Sequence, residues 1–243
     1  MKVGVLCGDR WHPAEVVLTG LREALGENGE GALRETGGQS AREDEPWTLE
    51  PLPLQGERSI DSWLADKDVV VLAKLNHVSE DDSAPWLTAE IKGAIMAYVE
   101  GGGGLAVIHA GTAGFKDDPV FCRFIGGVFA YHPEPCPVTL TVSADRAPFP
   151  ARSEGDVVVH DEHYMMDMAD ESLDVFLTAA SEHGMQAAGW SRAYGQGKVC
   201  TLTPGHYLEV WREPAYRELI AGGVRWCAGK AGGIDSAGGE ITE

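Results

Sequence analysis

The stretch Gly101-Gly102-Gly103-Gly104-Leu105-Ala106-Val107-Ile108-His109-Ala110-Gly111-Thr112 decides the fold class of this chain. Its four successive apolar residues, 105–108, are typical of a central strand in a parallel sheet, which is covered on both faces. The strand ends at His109, in a glycine-rich turn. In open α/β sheets ligands bind outside the carboxyl ends of the strands, so His109 is a candidate functional residue. The alternative is a core histidine whose ring bonds a neighbouring carbonyl group.

Buried strands and amphipathic helices alternate on both sides of this stretch. Apolar runs predict strands at 3–7, 47–52, 68–72, 105–108 and 198–202. Apolar residues at helical spacing predict helices at 14–25, 59–65, 88–100, 119–125 and 214–229. Alternating residues predict antiparallel strands at 138–142, 156–160 and 174–177. We therefore expect an α/β fold: a mostly parallel sheet with helices on both faces and added antiparallel strands.

The length of 243 residues and the hydrophobic content of 44% suit one domain with a full-sized core. We expect this domain to span residues 1–229. Residues 26–46 contain almost no apolar side chains and are predicted to form a solvated surface segment. The glycine-rich residues 230–243 are predicted to be a flexible tail.

The formal net charge of −19 argues against nucleic acid and anionic membrane surfaces as partners and favours neutral or cationic ligands. The sequence has no apolar stretch of about 18 residues, the length that a membrane span needs. The amino terminus also lacks the apolar region of a signal peptide. Five widely spaced cysteines without a C-x-x-C pair are typical of reduced thiols. We expect a soluble, cytoplasmic protein.

Histidines follow three of the predicted strands: His12 the first, His109 the central one and His206 the late one. Two further polar segments join them, one at Tyr131-His132-Pro133-Glu134 and one at Asp161-Glu162-His163-Tyr164. Histidine and carboxylate side chains supply either acid–base groups or metal ligands. For the segment 161–164, the alternative is an exposed acidic turn.

A divalent metal such as zinc or manganese is one way to use these side chains. We expect His109, His163 and His206 to be its ligands, because imidazoles from different strands can converge on such an ion. The spacing is not specific for a metal, since H-E-x-x-H, a dense Cys/His cluster and a calcium loop are absent.

Other signatures are missing, and aromatic residues favour a sugar ligand. The chain contains no G-x-S-x-G, and its first loop has neither the dinucleotide fingerprint nor a Walker A lysine. Five aromatic residues lie near the polar strand ends: Trp11, Tyr131, Tyr164, Tyr207 and Trp211. Two roles are open for each of them, packing under a sugar ring or packing within the core. The candidate substrate-binding residues are Trp11, His12, His132 and Tyr164.

An ordered series of motifs resembles the ThuA-like (trehalose utilization) family over most of residues 1–229. These motifs are the opening stretch, Gly126-Gly127-Val128-Phe129 with His132-Pro133, the 161–164 segment, and residues 189–199 with Gly205-His206. The resemblance implies a flavodoxin-like, class I glutamine amidotransferase-like fold, a role in disaccharide or keto-sugar metabolism, and a homo-oligomer. Amidotransferases carry a nucleophilic cysteine after the central strand, whereas this chain has His109-Ala110-Gly111-Thr112. A thiolate mechanism is therefore not expected.

The leading hypothesis is a lyase, isomerase or hydrolase of sugars. Glu162 or a nearby histidine removes a proton beside a sugar carbonyl, while His109 and His206 polarise oxygen directly or through a metal. The second hypothesis is a non-catalytic carbohydrate-binding or regulatory module on the same scaffold. The third is a cysteine hydrolase that uses Cys7 or Cys122.

Overall fold

The computed structural model describes residues 1–26, 46–52, 59–77, 81–151, 155–170 and 173–229. The predicted surface segment at 26–46, apart from its two end residues, and the predicted tail at 230–243 lie outside the described residues. None of the helices in the described ranges is long and apolar enough to cross a membrane.

The strands of the described residues form one large sheet and one small one. In chain order they are β1 (Lys2–Cys7), β2 (Thr48–Pro51), β3 (Val69–Ala73), β4 (Gly104–Ile108), β5 (Gly127–Tyr131), β6 (Cys136–Val142), β7 (Asp156–Asp161), β8 (Met165–Met168), β9 (Asp174–Ser181), β10 (Gly184–Tyr194) and β11 (Gly197–Leu202). The large sheet has the order β2-β1-β3-β4-β11-β10-β9-β6-β7, and β5 pairs with β8 alone.

The first five strands of this order pair in parallel. They match the 2-1-3-4-5 order of flavodoxin-like folds, with β11 in the last place. The remaining four strands are antiparallel additions. The predicted α/β fold with added antiparallel strands is confirmed.

The helices are α1 (Ala14–Leu25), α2 (Ile60–Leu64), α3 (Ala89–Glu100), α4 (Pro119–Ile125), α5 (Leu208–Arg212) and α6 (Pro214–Cys227). Their starts follow the residues that favour them. Thr88 and Asp118 accept hydrogen bonds from backbone N–H groups three residues on, and Pro119 occupies the first turn of α4.

Two cores cover the two faces of the sheet. Alternate residues of β3 face opposite sides: Val69 and Val71 join the core with α1, α5 and α6, and Val70 and Leu72 join the core with α2, α3 and α4. All five residues of β3 and of β4 are buried. This double burial explains why the continuous apolar runs predicted central strands correctly.

Three strands and one helix were not predicted from the sequence: β5, β8, β10 and α5. The strand β10 lacks a clear alternation because Ala187, Ala188 and Gly189 interrupt it. Its pairing with β9 is irregular at these residues. A bulge of this kind bends a strand and increases its twist.

The antiparallel half curls back over the parallel half. Because each antiparallel pairing reverses direction, β7 runs the same way as β11, although β10, β9 and β6 lie between them. A flat sheet would separate β7 and β11 by about 19 Å, at about 4.8 Å for each pair of strands. Instead, the side-chain Oδ2 of Asp161, at the end of β7, lies 2.7 Å from the backbone nitrogen of Gly205, which follows β11. The curl brings the carboxyl ends of β1, β4, β7 and β11 together.

Candidate metal centre

Four side chains converge where these strand ends meet. His12 follows β1, His109 follows β4, Glu162 follows β7 and His206 follows β11. One ligand atom from each lies within 4.8 Å of the other three. Among the described residues, no other group of three or more His, Cys, Asp or Glu side chains has this geometry.

His109 is buried, with 2% of its surface exposed, and begins a short 3₁₀ turn at His109–Thr112. Its ring Nδ1 donates a hydrogen bond to the carbonyl oxygen of Thr203 at 2.8 Å. Because a carbonyl group only accepts, this bond places the proton of the neutral ring on Nδ1. The lone pair on Nε2 therefore faces the cluster.

His12 is oriented by a carboxylate. Its Nδ1 donates to Asp9 Oδ1 at 2.8 Å, and the backbone N–H groups of Trp11 and Leu75 also donate to Asp9. Burial lowers the pKa of His12, although Asp9 acts in the opposite direction, so the neutral ring is favoured. A carboxylate behind a histidine is the usual support of a metal-binding imidazole.

Glu162 lies between the histidines. Its Oε2 is 3.4 Å from His109 Nε2 and 3.3 Å from His206 Nδ1. Burial by itself would raise the pKa of Glu162, but its interactions with these two histidines outweigh burial and hold the pKa well below its usual range. The same carboxylate raises the pKa of His206.

Three of the converging nitrogens have no hydrogen-bond partner. His12 Nε2, His109 Nε2 and His206 Nδ1 are all buried and unsatisfied. Buried polar atoms are rarely left without partners, so this group calls for an additional species. Two ligand atoms at about 2.0–2.1 Å from one tetrahedral ion are about 3.4 Å apart, close to the observed separations from Glu162 Oε2. The donor set of three imidazoles and one carboxylate fits a divalent zinc or manganese ion.

The metal ligands expected from the sequence need one correction. His163 does not join the cluster: its Nδ1 lies 2.7 Å from Ser181 Oγ and its Nε2 lies 3.2 Å from the carbonyl oxygen of Ala179. Glu162 and His163 are consecutive residues after β7, but their side chains lie in different surroundings: Glu162 beside the histidines of the cluster, and His163 against β9. His12 and Glu162 therefore take the place that we expected for His163, beside His109 and His206.

Of the candidate substrate-binding residues, His12 belongs to the cluster and the other three lie next to its members. His132 Nε2 is 3.5 Å from Glu162 Oε1, and its Nδ1 donates to the carbonyl oxygen of Pro133. The buried ring of Tyr164 stacks on His109 at 4.2 Å and contacts Phe129 at 4.3 Å. Trp11 is exposed in the same loop as His12. Asp9 was not expected as a support of His12, although its position three residues before His12 is a signal for this role.

Burial makes most of the thiols poor nucleophiles. It raises the pKa of Cys7 to about 11 and that of Cys200 to about 12. It also raises the pKa of Cys122 and Cys227. A thiol is reactive only as the thiolate, so these cysteines do not resemble activated nucleophiles.

Comparisons with known proteins give the family. The model of the family described as ThuA, trehalose utilisation, matches residues 55–227. The chain belongs to the ThuA family. No curated protein sequence matches it closely enough to be compared.

Solved structures share the fold of this ThuA-family chain. A ThuA-like protein from Parabacteroides merdae superposes with a TM-score of 0.67 at 17% identity and covers 96% of this chain and 92% of its own. A second, from Bacteroides uniformis, has a TM-score of 0.66 at 17% identity, with 95% and 91% covered. A cytoplasmic protein from Salmonella typhimurium has a TM-score of 0.60 at 14% identity, with 93% and 98% covered.

Proposed function

We propose that this trehalose-utilisation-type protein is a metal-dependent enzyme that acts on a disaccharide or keto-sugar. The observation that supports the proposal is the convergence of three buried imidazole nitrogens that lack a hydrogen bond, with the Glu162 carboxylate between them. His12, His109, Glu162 and His206 would hold a zinc or manganese ion. The carboxyl edge of the sheet, where they lie, is the usual ligand site of such folds.

The convergence favours an enzyme over a non-catalytic sugar-binding module. A binder needs aromatic surfaces and hydrogen-bonding groups, but not several titratable side chains at one point. Here the titratable groups of four separate strand ends meet, and the pKa values of His12, Glu162 and His206 are all shifted.

The side chains divide the chemistry between them. When bound, a divalent ion supplies Lewis-acid polarisation of a sugar oxygen. The lowered pKa of Glu162 makes its carboxylate a weak base, which suits a ligand better than a proton acceptor. His132 Nε2 faces the outer oxygen of Glu162, and about a third of its side chain is exposed. We assign His132 Nε2 the transfer of a proton between the sugar and solvent.

The charges around the centre favour an uncharged substrate. Asp9, Asp161 and Glu162 are three carboxylates in or beside it, and the whole chain carries a net charge of −19. Their field repels phosphorylated sugars and leaves neutral disaccharides and keto-sugars as the favoured class. The ring of Phe129, which is partly exposed beside His132, offers an apolar surface for one face of a sugar.

The test is metal-dependent turnover of sugars. The purified protein is stripped with a chelator, reloaded with zinc or manganese, and incubated in D₂O with a panel of disaccharides and their keto derivatives. Proton NMR then detects both product and deuterium at the carbon beside the carbonyl group. We expect turnover that requires the metal and falls at least 100-fold in His206→Ala, since acid–base and Lewis-acid groups contribute about 10²–10⁴-fold.

A histidine away from the cluster provides the control. His183 is exposed and lies near Glu182 rather than near the centre, so His183→Ala should retain full turnover. Turnover that survives the chelator, or that is unchanged in His206→Ala, would contradict the proposal.

A further inference from the structure

We infer that Asp161 is a positioning residue of the metal centre, whose buried carboxylate fixes the main chain that carries the ligand His206. The inference rests on the proposed metal centre and concerns a residue outside the four ligands. It predicts that metal affinity and coordination geometry depend on a carboxylate that does not contact the ion.

Asp161 bonds directly to the backbone that carries His206. Its Oδ2 accepts a hydrogen bond from the Gly205 backbone N–H at 2.7 Å, and its Oδ1 accepts one from the His206 N–H at 3.1 Å. Asp161 is 1% exposed, so no water competes for these bonds. Both carboxylate oxygens are used by consecutive residues of one turn.

The rest of this turn is held just as completely. Gly205 has φ of +132°, a conformation that glycine adopts without strain. The carbonyl oxygens of residues 203, 204 and 205 accept hydrogen bonds from His109 Nδ1, Tyr216 Oη and Trp211 Nε1. This turn therefore serves two ligands: its Thr203 carbonyl group orients the His109 ring, and its last residue is His206. The backbone N–H groups of Gly205 and His206 donate to the Asp161 carboxylate.

The charge of Asp161 suits a neighbouring cation. Among the described residues, no lysine or arginine forms an ion pair with it. A buried carboxylate that is hydrogen-bonded but not paired with a cation still costs free energy, and a divalent ion beside His109 and His206 would offset that cost. The geometry and the charge therefore both assign Asp161 to the metal centre and not only to the fold.

Asp161→Asn tests this inference, because asparagine keeps the shape but offers one acceptor oxygen and no charge. The metal alone is the probe: zinc affinity is measured by competition with a chromophoric chelator, and the visible spectrum of bound Co²⁺ reports the coordination geometry. We expect zinc to bind about 10–100-fold more weakly, as for other residues that support metal ligands, with an altered Co²⁺ spectrum. A residue that only stabilised the fold would lower the melting temperature and leave both metal readouts unchanged.

Asp156→Asn is the matched control, since Asp156 lies at the exposed start of the same strand and accepts a hydrogen bond from Thr141 Oγ1. It should bind zinc as the unsubstituted protein does. If Asp161→Asn does not fold, Tyr216→Phe replaces it, because Tyr216 holds the same turn through the Pro204 carbonyl group. We expect weaker zinc binding there too.

The outcomes separate the two proposals. If the unsubstituted protein binds neither zinc nor Co²⁺, the proposed metal centre fails and this inference falls with it. If the unsubstituted protein binds them but Asp161→Asn, or Tyr216→Phe in its place, binds zinc within twofold and gives the same Co²⁺ spectrum, only the inference about Asp161 is overturned.

Discussion

His109 has φ of +47°, the one positive value for a non-glycine residue among those the structure describes. Such a conformation costs free energy, and it persists where the surroundings determine it. Here the Thr203 carbonyl group holds the ring, and Thr112 Oγ1 donates to the backbone oxygen of His109. This backbone conformation turns the chain sharply after β4, so the His109 imidazole faces the other strand ends and not the core.

The Glu162 and His206 pair predicts a pH window in the metal-free protein. The lowered pKa of Glu162 stabilises the folded protein fully above pH 4.5, the usual pKa of this side chain. This contribution is lost as the pH falls toward the folded-state pKa of Glu162. The raised pKa of His206 stabilises the folded protein fully below pH 6.5, the usual pKa of histidine. This contribution is lost as the pH rises through the folded-state pKa of His206. Both contributions are complete between about pH 4.5 and 6.5. In a chelator, the melting temperature of Glu162→Gln should therefore fall furthest below that of the unsubstituted protein in this window.

Glu23→Gln is the comparison for this measurement. Glu23 pairs with Arg212 on the surface, and arginine does not titrate near neutral pH. Its effect should be constant between about pH 6 and 8. A Glu162→Gln difference that grows above pH 7 would disprove the assignment to the pair.

The raised pKa of Cys7 predicts slow alkylation. With a pKa of about 11 instead of 9.0, the thiolate fraction at neutral pH is about 100-fold smaller, because each pKa unit changes it tenfold. Iodoacetamide should modify Cys7 slowly in the native protein, and Cys7→Ser should retain zinc binding and any sugar turnover. Peptide mass spectrometry measures the modification, with the urea-unfolded protein as the reference. Rapid modification with loss of turnover would instead support the cysteine-hydrolase hypothesis.

At the scale of the elements, the candidate site is made by the ends of strands. The 3₁₀ turn that begins at His109 lies against β3 at very short range. A Cβ atom added at Gly111 would come within 2.1 Å of the Leu72 carbonyl oxygen. The glycine therefore allows the turn to pack against the neighbouring strand and sets the height of His109 above the sheet.

Gly111→Ala should disrupt this contact. Overpacking costs about 1–3 kcal/mol in a dense core, and we expect the upper end because the clash is with backbone and not with a movable side chain. Gly93→Ala on the exposed face of α3, where nothing lies within 4 Å of the added atom, should instead stabilise the protein by about 0.5–1 kcal/mol. Urea unfolding of both variants measures the two free energies. Equal free energies of unfolding for the two variants would refute the close approach.

At the scale of the whole molecule, the centre joins distant parts of the chain. Its side chains come from the loop after β1, from the middle of the sheet and from the curled antiparallel half. A bound ion would therefore add a further link between segments that hydrogen bonds such as those of Asp161 already connect. The expected homo-oligomer remains a prediction, which light scattering tests against the chain mass of 26.0 kDa.

Metal should stabilise the entire fold. At a free zinc concentration about 100-fold above Kd, binding adds about 2.7 kcal/mol to the free energy of unfolding. For a domain of this size that raises Tm by about 5–10 °C, at about 2–4 °C for each kcal/mol. Scanning calorimetry with and without zinc measures the shift, and His12→Ala should remove most of it. A shift of the same size in His12→Ala would place the ion elsewhere.

The α/β class, the parallel strands and most helices follow from local sequence patterns, because double burial and end-capping leave signals such as 105–108 and Asp118-Pro119. The same patterns place His109 and His206 after strands, and the motifs were enough to recognise the ThuA family. The set of four proposed ligands, by contrast, depends on long-range packing. The directions of the Glu162 and His163 side chains depend on how the chain leaves β7, and the approach of β7 to β11 depends on the bulged, curled sheet. Both are long-range consequences of strand pairing, which no local spacing of residues encodes.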